Sequence, residues 1–187
     1  MFSKKIVSTI LFCAFVLFSS TKCIGETSNG LLAYDNLISQ VPKEIGSGDL
    51  NYLFGIKLYR ARLISNSAFD SENVFGSNFA LEINYFQSWD SSTIARRSLK
   101  EIIKLGYSDE EKNYRWKNWM TINLPTVKEG DLVSAFFSPE TGIQLFLNEK
   151  FYSSSNDLEF TRAFFSIWLD VKTSEPSLRK KLLNINE

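Results

Sequence analysis

The sequence contains no histidine. That absence excludes Ser-His-Asp and Cys-His catalysis and the usual zinc sites. Cysteine is nearly as scarce: the two present, Cys13 and Cys23, both fall in the first 25 residues. There is no excess of either charge, with 21 basic and 21 acidic residues. A nucleic-acid binder needs a basic surplus, so that class is set aside. Proline numbers only four, and nothing resembles a low-complexity linker or an internal repeat. Any acid–base chemistry would rest on Asp, Glu, Lys, Tyr or Arg.

What is present begins with a leader-like segment. Lys4 and Lys5 precede Ile6–Phe18, an apolar run broken only by Ser8 and Thr9, and a polar patch then leads to Cys23-Ile24-Gly25. A basic start, a short apolar run and a small-residue exit are the parts of a secretory signal peptide. Thirteen residues fall short of the ~20 that a membrane-spanning helix needs. The expectation is a leader over residues 1–25 and one domain over 26–187, exported to the periplasm. Anchoring through the uncleaved N-terminus and lipidation at Cys23 are the alternatives. Lys22 stands where a lipidation signal wants a small residue. Cleavage after Gly25 removes both cysteines, so thiol chemistry goes with them. It leaves 18 basic against 21 acidic residues, a net charge of −3. A domain of this size buries enough surface to do without disulfides.

The rest has globular composition, 44% hydrophobic with 14% aromatic. A turn of helix is expected over Leu31–Gln40, ended by Pro42. Strands are expected at Lys43–Leu53, around Gly46 and Gly48, and at Ile56–Ser65. The second sets Arg60 and Arg62 on one face and Tyr59, Ala61 and Leu63 on the other. Ser65–Ser77 reads as a polar loop. In Phe79–Phe86 the residues Phe79, Leu81, Ile83 and Tyr85 alternate with Glu82 and Asn84, the clearest strand of the chain. The period then changes. Ile94, Leu99, Ile102 and Ile103 recur at helical spacing and Gly106 ends the run. Ser108 with Glu111 reads as a capping box opening a helix to about Asn123. Two strands, Asp131–Phe137 and Ile143–Leu147, flank a Pro139–Gly142 turn, and a short strand follows at Phe151 and Tyr152. Asn156 is expected to cap a helix over Asp157–Leu169, with a closing helix at Ser177–Leu183. Strands, two helices, three strands and two helices make an α+β domain, an antiparallel sheet with helices on one face.

Among polar candidates, Arg60 and Arg62 can anchor an anionic ligand. The plainer reading pairs them with Glu82 or another acid on the wet side of the sheet. Tyr59 and Tyr85 can aim hydroxyls at a ligand or sit satisfied in the core. Arg96 and Arg97 point about 100° apart and read as solvated. Trp116, Trp119 and Met120 form an apolar stripe. Phe160, Phe164, Ile167 and Trp168 share one helix face, fit for the core or for one wall of a cleft.

Four stretches carry a family resemblance: GSGDLNYLFGIKLYRARL, FALEINYF, LPTVKEGDLVSAFF and DLEFTRAFFSIWLDVKTSEPSLRKKLL. Together they resemble the chalcone isomerase-like family, in its bacterial exported branch. The resemblance implies an open-faced β-sandwich: a curved antiparallel sheet covered on one face by helices. It also implies a cleft between the two that holds a flavonoid or a fatty acid in relatives. Plant chalcone isomerases place an arginine shortly after a Gly-x-Gly, and here Leu50 follows Gly46-Ser47-Gly48-Asp49. The family's threonine on the next strand corresponds to Tyr59. Its tyrosine and asparagine around the first long helix correspond to Asp90 and Arg97, and its threonine in the last long helix to Ile167.

With that set replaced, the chain reads as non-catalytic, without cofactor or metal. The expected ligand is small and hydrophobic or amphipathic, fatty acid-like, against Tyr59, Arg60, Arg62, Tyr85, Phe164 and Trp168. One alternative is an isomerase or lyase with a rearranged site built on Tyr59, Arg60 or Arg62. Another is a structural or partner-binding envelope protein whose cleft is filled by its own side chains.

Overall fold

The computed structural model describes residues 43–52, 55–65 and 69–185. The leader expected at residues 1–25 and the helical turn expected at 31–40 lie outside these residues. Three strands come first: β1 (Lys43–Tyr52), β2 (Ile56–Ser65) and β3 (Phe79–Tyr85). Helices α1 (Ser91–Lys104) and α2 (Glu110–Asn123) follow. Then come β4 (Leu132–Ser138), β5 (Gly142–Leu147) and β6 (Lys150–Ser155), and last α3 (Leu158–Leu169) and α4 (Pro176–Leu183). The described strands form one antiparallel sheet in chain order, β1 to β6. The expected α+β architecture is therefore present.

The alternation within each strand sets the two faces. Ala61, Leu63, Phe79, Leu81, Ile83, Ala135, Phe137, Ile143 and Leu145 share the core with Phe160, Ala163, Phe164 and Phe165 of α3. This is the helix-covered face. Stacked Phe79 and Phe137, at 4.7 Å between ring centroids, meet Phe165 edge-on at 5.0 and 5.6 Å. Each buried aromatic removes well over 100 Å² of apolar surface from water, so this trio contributes several kcal/mol, about 25 cal/mol per Å². The other face carries Arg60, Arg62, Glu82, Ser134 and Phe136. Glu82, Ser134 and Phe136 are buried there too, so this side is not the uniformly wet surface that alternation suggested.

Local chemistry explains the boundaries, with four departures from the sequence expectation. The cap of α2 is Asp109, whose carboxylate accepts from the Lys112 amide at 3.0 Å, one residue beyond Ser108. The cap of α3 is Asp157, accepting from the Phe160 amide at 2.9 Å, one residue beyond Asn156. In both, the aspartate lies three residues before the amide it accepts, the spacing a cap requires. In α1 the buried stripe is Ala95, Ser98 and Ile102, with Ile94 and Leu99 alongside; Ile103 is one position off it and is exposed. The segment read as a polar loop folds into a 3₁₀ turn at Val74–Gly76. Val74 is buried and Phe69 and Phe75 pack on the core. Between β5 and β6, Asn148 and Glu149 both have positive φ, 49° and 68°, which matches the twist of a two-residue hairpin.

Gly46 and Gly48 let α4 lie directly on β1. A Cβ on Gly46 would sit 2.0 Å from the Lys181 carbonyl oxygen and 2.8 Å from that of Leu182. On Gly48 it would meet the Leu178 and Lys181 side chains at 2.8 and 2.9 Å. The Gly-x-Gly of the sequence is thus a docking surface for the last helix. Pro176 at the first turn of α4 fixes where that helix starts.

Candidate functional site

The sheet places a row of three residues on its helix-facing side. Leu50 of β1 pairs with Tyr59 of β2, which pairs with Tyr85 of β3. The two tyrosine rings meet edge to face at 5.9 Å. Across the layer, the last turn of α3 supplies Trp168, whose indole Nε1 donates to the Tyr59 hydroxyl at 2.8 Å. Phe164 contacts Trp168 edge-on at 5.5 Å. Tyr59, Tyr85, Phe164 and Trp168, four of the six expected site residues, are therefore brought together between sheet and helices.

Arg60 and Arg62 are not. They belong to the opposite face of β2, with partners there. Arg60 lies 3.6 Å from Asp49. The Arg62 Nε donates to Glu82 at 3.0 Å, and its guanidinium also lies 3.7 Å from Glu44. The period of two in a strand makes this unavoidable: a residue beside Tyr59 in sequence faces away from it in space. A site joining Tyr59 to either arginine is corrected on that ground.

The rim beside Tyr59 carries charge that the sequence reading missed. The Ser174 hydroxyl donates to Glu101, tying the corner after α3 to α1. The Lys104 ammonium donates to Glu101 at 2.8 Å and to Ser174 at 3.4 Å. The corner itself folds back on α3, with Thr173 Oγ1 donating to the Ile167 carbonyl at 2.6 Å and then accepting from the Glu175 amide at 3.2 Å. No periodic pattern signals such a rim, because its members lie some 70 residues apart.

Burial pushes the Tyr59 and Tyr85 phenols above their ordinary value. At Tyr59 the bond from Trp168 opposes this, while the charges of Tyr85, Glu175 and Glu101 add to it. Desolvation also raises the Glu175 carboxyl, helped by the charge of Glu101 and opposed by Lys104. Both phenols are protonated at neutral pH. They can donate hydrogen bonds but are poor bases.

The positions at which the resemblance placed other chemistry have structural work. Leu50 packs against the core. Asp90 caps α1, accepting from the Thr93 amide at 2.8 Å and from the Ser92 hydroxyl. Arg97 lies over the Trp89 ring at 4.7 Å. Ile167 packs on the core and gives its carbonyl to Thr173.

A run of aromatic contacts follows α3 from this site to its N-terminus: Trp168, Phe164, Phe160 and then Trp119, at 5.5, 5.9 and 4.8 Å between successive centroids. At the far end lies a half-open cleft of about 310 Å³ between α2 and the start of α3. Its lining includes Arg115, Trp119 and Asp157. There the Trp116 indole donates to Asp157 at 3.1 Å. Among the described residues no three potential metal ligands converge.

A family model described as chalcone isomerase-like matches residues 46–184. Among solved structures, a fatty-acid binding protein of Arabidopsis thaliana is similar with a TM-score of 0.55 at 10% sequence identity, covering 76% of this chain and 86% of that one. At that identity the likeness bears on the fold alone. No curated protein matches the sequence.

Proposed function

From a chain that belongs to the chalcone isomerase-like family, we propose an exported, non-catalytic protein that binds a small apolar or amphipathic molecule between sheet and helices. One observation carries the reading: the helix-facing side of the sheet offers two protonated phenols among aromatic rings, while Leu50, Asp90, Arg97 and Ile167 all serve the fold. Such a surface gives apolar contact with a few placed hydrogen bonds, the usual make-up of a small-molecule site. Among the described residues no cation faces Tyr59 from β2, which an isomerase reading built on Tyr59 and the two arginines requires. The fatty-acid binding of the Arabidopsis protein supports an apolar ligand. Export rests on the leader-like first 25 residues, as does placement in a bacterial exported branch.

Native mass spectrometry of the protein isolated from its own host, with solvent extraction of what it carries, tests binding. The expected result is a discrete apolar molecule at near-stoichiometric load. The mass of the same material tests export, with a mature N-terminus at Glu26. A second reading, a cleft filled by its own side chains and used for a protein partner, is favoured by the Trp168–Tyr59 bond, which already joins the two layers. An empty protein, together with no uptake of added apolar compounds, would leave that reading in place. Turnover of a chalcone above background would overturn the non-catalytic one.

A further inference from the structure

We infer that residues 26–42, the chain between the leader-like segment and β1, close the face of the sheet turned away from the helices. The inference goes beyond the ligand reading and does not depend on it.

Among the described residues, four buried hydrophobic side chains stand outside the helix-side core: Ile64, Ala80, Phe136 and Phe146. The strand register sets them in two adjoining rows. One runs Glu44, Ile64, Ala80, Phe136 and Gln144, from β1 to β5. The other runs Arg62, Glu82, Ser134, Phe146 and Phe151, from β2 to β6. The Phe136 and Phe146 rings meet edge to face at 5.4 Å. Ala80, Ser134 and Phe146 are 0% exposed, Glu82 3% and Phe136 4%. At the margins Phe151 is 49% exposed and the Arg62 side chain 48%. A side chain on a bare sheet face keeps its outer side in water, so burial this complete means that something lies over the middle of the face.

The described elements do not supply that cover. Every described helix places residues in the core of the other face, and so do the loops before β3 and β4, through Val74 and Val127. Outside the described residues, 53–54, 66–68 and 186–187 are two or three residues each. The chain before Lys43 is the one long enough.

Its position and composition fit the task. Lys43 opens β1 beside Ser65, and Glu44 begins the first row. From there to Phe136 is three strand spacings, about 15 Å, the length of ten residues in a helix. Leu31, Tyr34, Ile38 and Val41 fall at i, i+3, i+7 and i+10, one apolar face at helical period, with Leu32 and Leu37 beside them. Cleavage after Gly25 would retain all six. The Arg62 Nε donates to Glu82 at 3.0 Å and the Ser134 hydroxyl lies 3.4 Å from it. The acid can therefore lie under an apolar cover without becoming a lone buried charge.

The full chain with p-benzoylphenylalanine in place of Tyr34 tests the placement. Irradiation followed by peptide mapping is expected to join that position to β3, β4 or β5 of the same molecule. The same group in place of Ile122, exposed on α2, is the control and is expected to give no adduct to those strands. Adducts from position 34 to the helices, adducts between two chains, or none at all overturn the inference; the second outcome would give the face to another copy. A second measurement reads the cover itself. In Ser134→Cys the thiol lies at the middle of the face. Its maleimide labelling, followed on its own peptide, is expected to quicken at least about tenfold when Tyr34→Asp and Ile38→Asp are added. Unchanged labelling in that variant, with folding checked by circular dichroism, overturns the inference as well. Where the aspartates prevent folding, the cross-link decides.

Discussion

The indole of Trp168 and the phenol of Tyr59, 109 residues apart in sequence, meet at 2.8 Å and join the last turn of α3 to β2. It is a polar bond inside a mainly apolar layer, so its loss exposes the asymmetry between making a bond and stranding its donor. Tyr59→Phe leaves the indole N–H without an acceptor and is expected to cost about 1–3 kcal/mol in urea unfolding. Trp168→Phe is expected to cost more, because it also removes ring volume next to Phe164. The double variant is expected to be less destabilised than the sum of the two, and strict additivity would show the bond to be energetically idle.

Gly46 and Gly48 separate two kinds of crowding. A methyl at Gly46 meets backbone oxygens of α4, which cannot move without the helix. At Gly48 it meets side-chain carbons of Leu178 and Lys181, which can turn aside. Gly46→Ala is therefore expected to destabilise by about 3 kcal/mol or to detach α4, and Gly48→Ala by about 1 kcal/mol. Thermal unfolding ranks the two, and hydrogen exchange of the α4 amides reads the detachment. Equal effects would contradict the geometry.

Asp90 gives α1 an acid-sensitive start. Its bonds from Ser92 and Thr93 hold the carboxyl down at about 2, below the ordinary 3.8. A depressed carboxyl stabilises the folded form fully above its unfolded value and loses that contribution as pH falls through its folded one. The first-turn amides of α1 are thus expected to lose protection from exchange between about pH 4 and pH 2. In Asp90→Asn that step is expected to vanish at these amides, since the amide cap does not titrate. A persistent step there would place its cause elsewhere.

Asp157 serves two partners at once, the Phe160 amide through one oxygen and the Trp116 indole through the other, at 2.9 and 3.1 Å. Asp157→Ala is expected to cost about 2 kcal/mol, less than Trp116→His, which keeps a ring donor but strips ring volume from a buried position against Tyr107 and Phe160. Asp157→Asn keeps an acceptor for the amide and is expected to fall between Asp157→Ala and the wild type. Urea unfolding of the three orders them.

How much of this was legible in the sequence differs from element to element. The alternation in β3 marks its core face residue by residue, because side-chain direction has a period of two whatever the surroundings. Cap positions slip by one at Asp109 and Asp157 because two cap-capable residues stand side by side in each case, and the local sequence does not choose between them. The burial of Glu82 is invisible, since an acid on a strand's outer face looks the same under a cover as in water. Tyr59 and Tyr85 are identifiable as neighbours on the helix-facing side once strands β2 and β3 are paired. The bond from Trp168 to Tyr59 and the rim made by Glu101, Ser174 and Glu175 are not, because they depend on how α3, α1 and the corner after α3 come together across 70 or more residues.

The close approach of α4 to Gly46 has a bearing on how relatedness is read. A glycine pair retained because a helix rests on it is inherited under a constraint of shape alone. The Gly-x-Gly here answers to the docking of a helix, so its presence by itself is no mark of a reaction at the neighbouring surface.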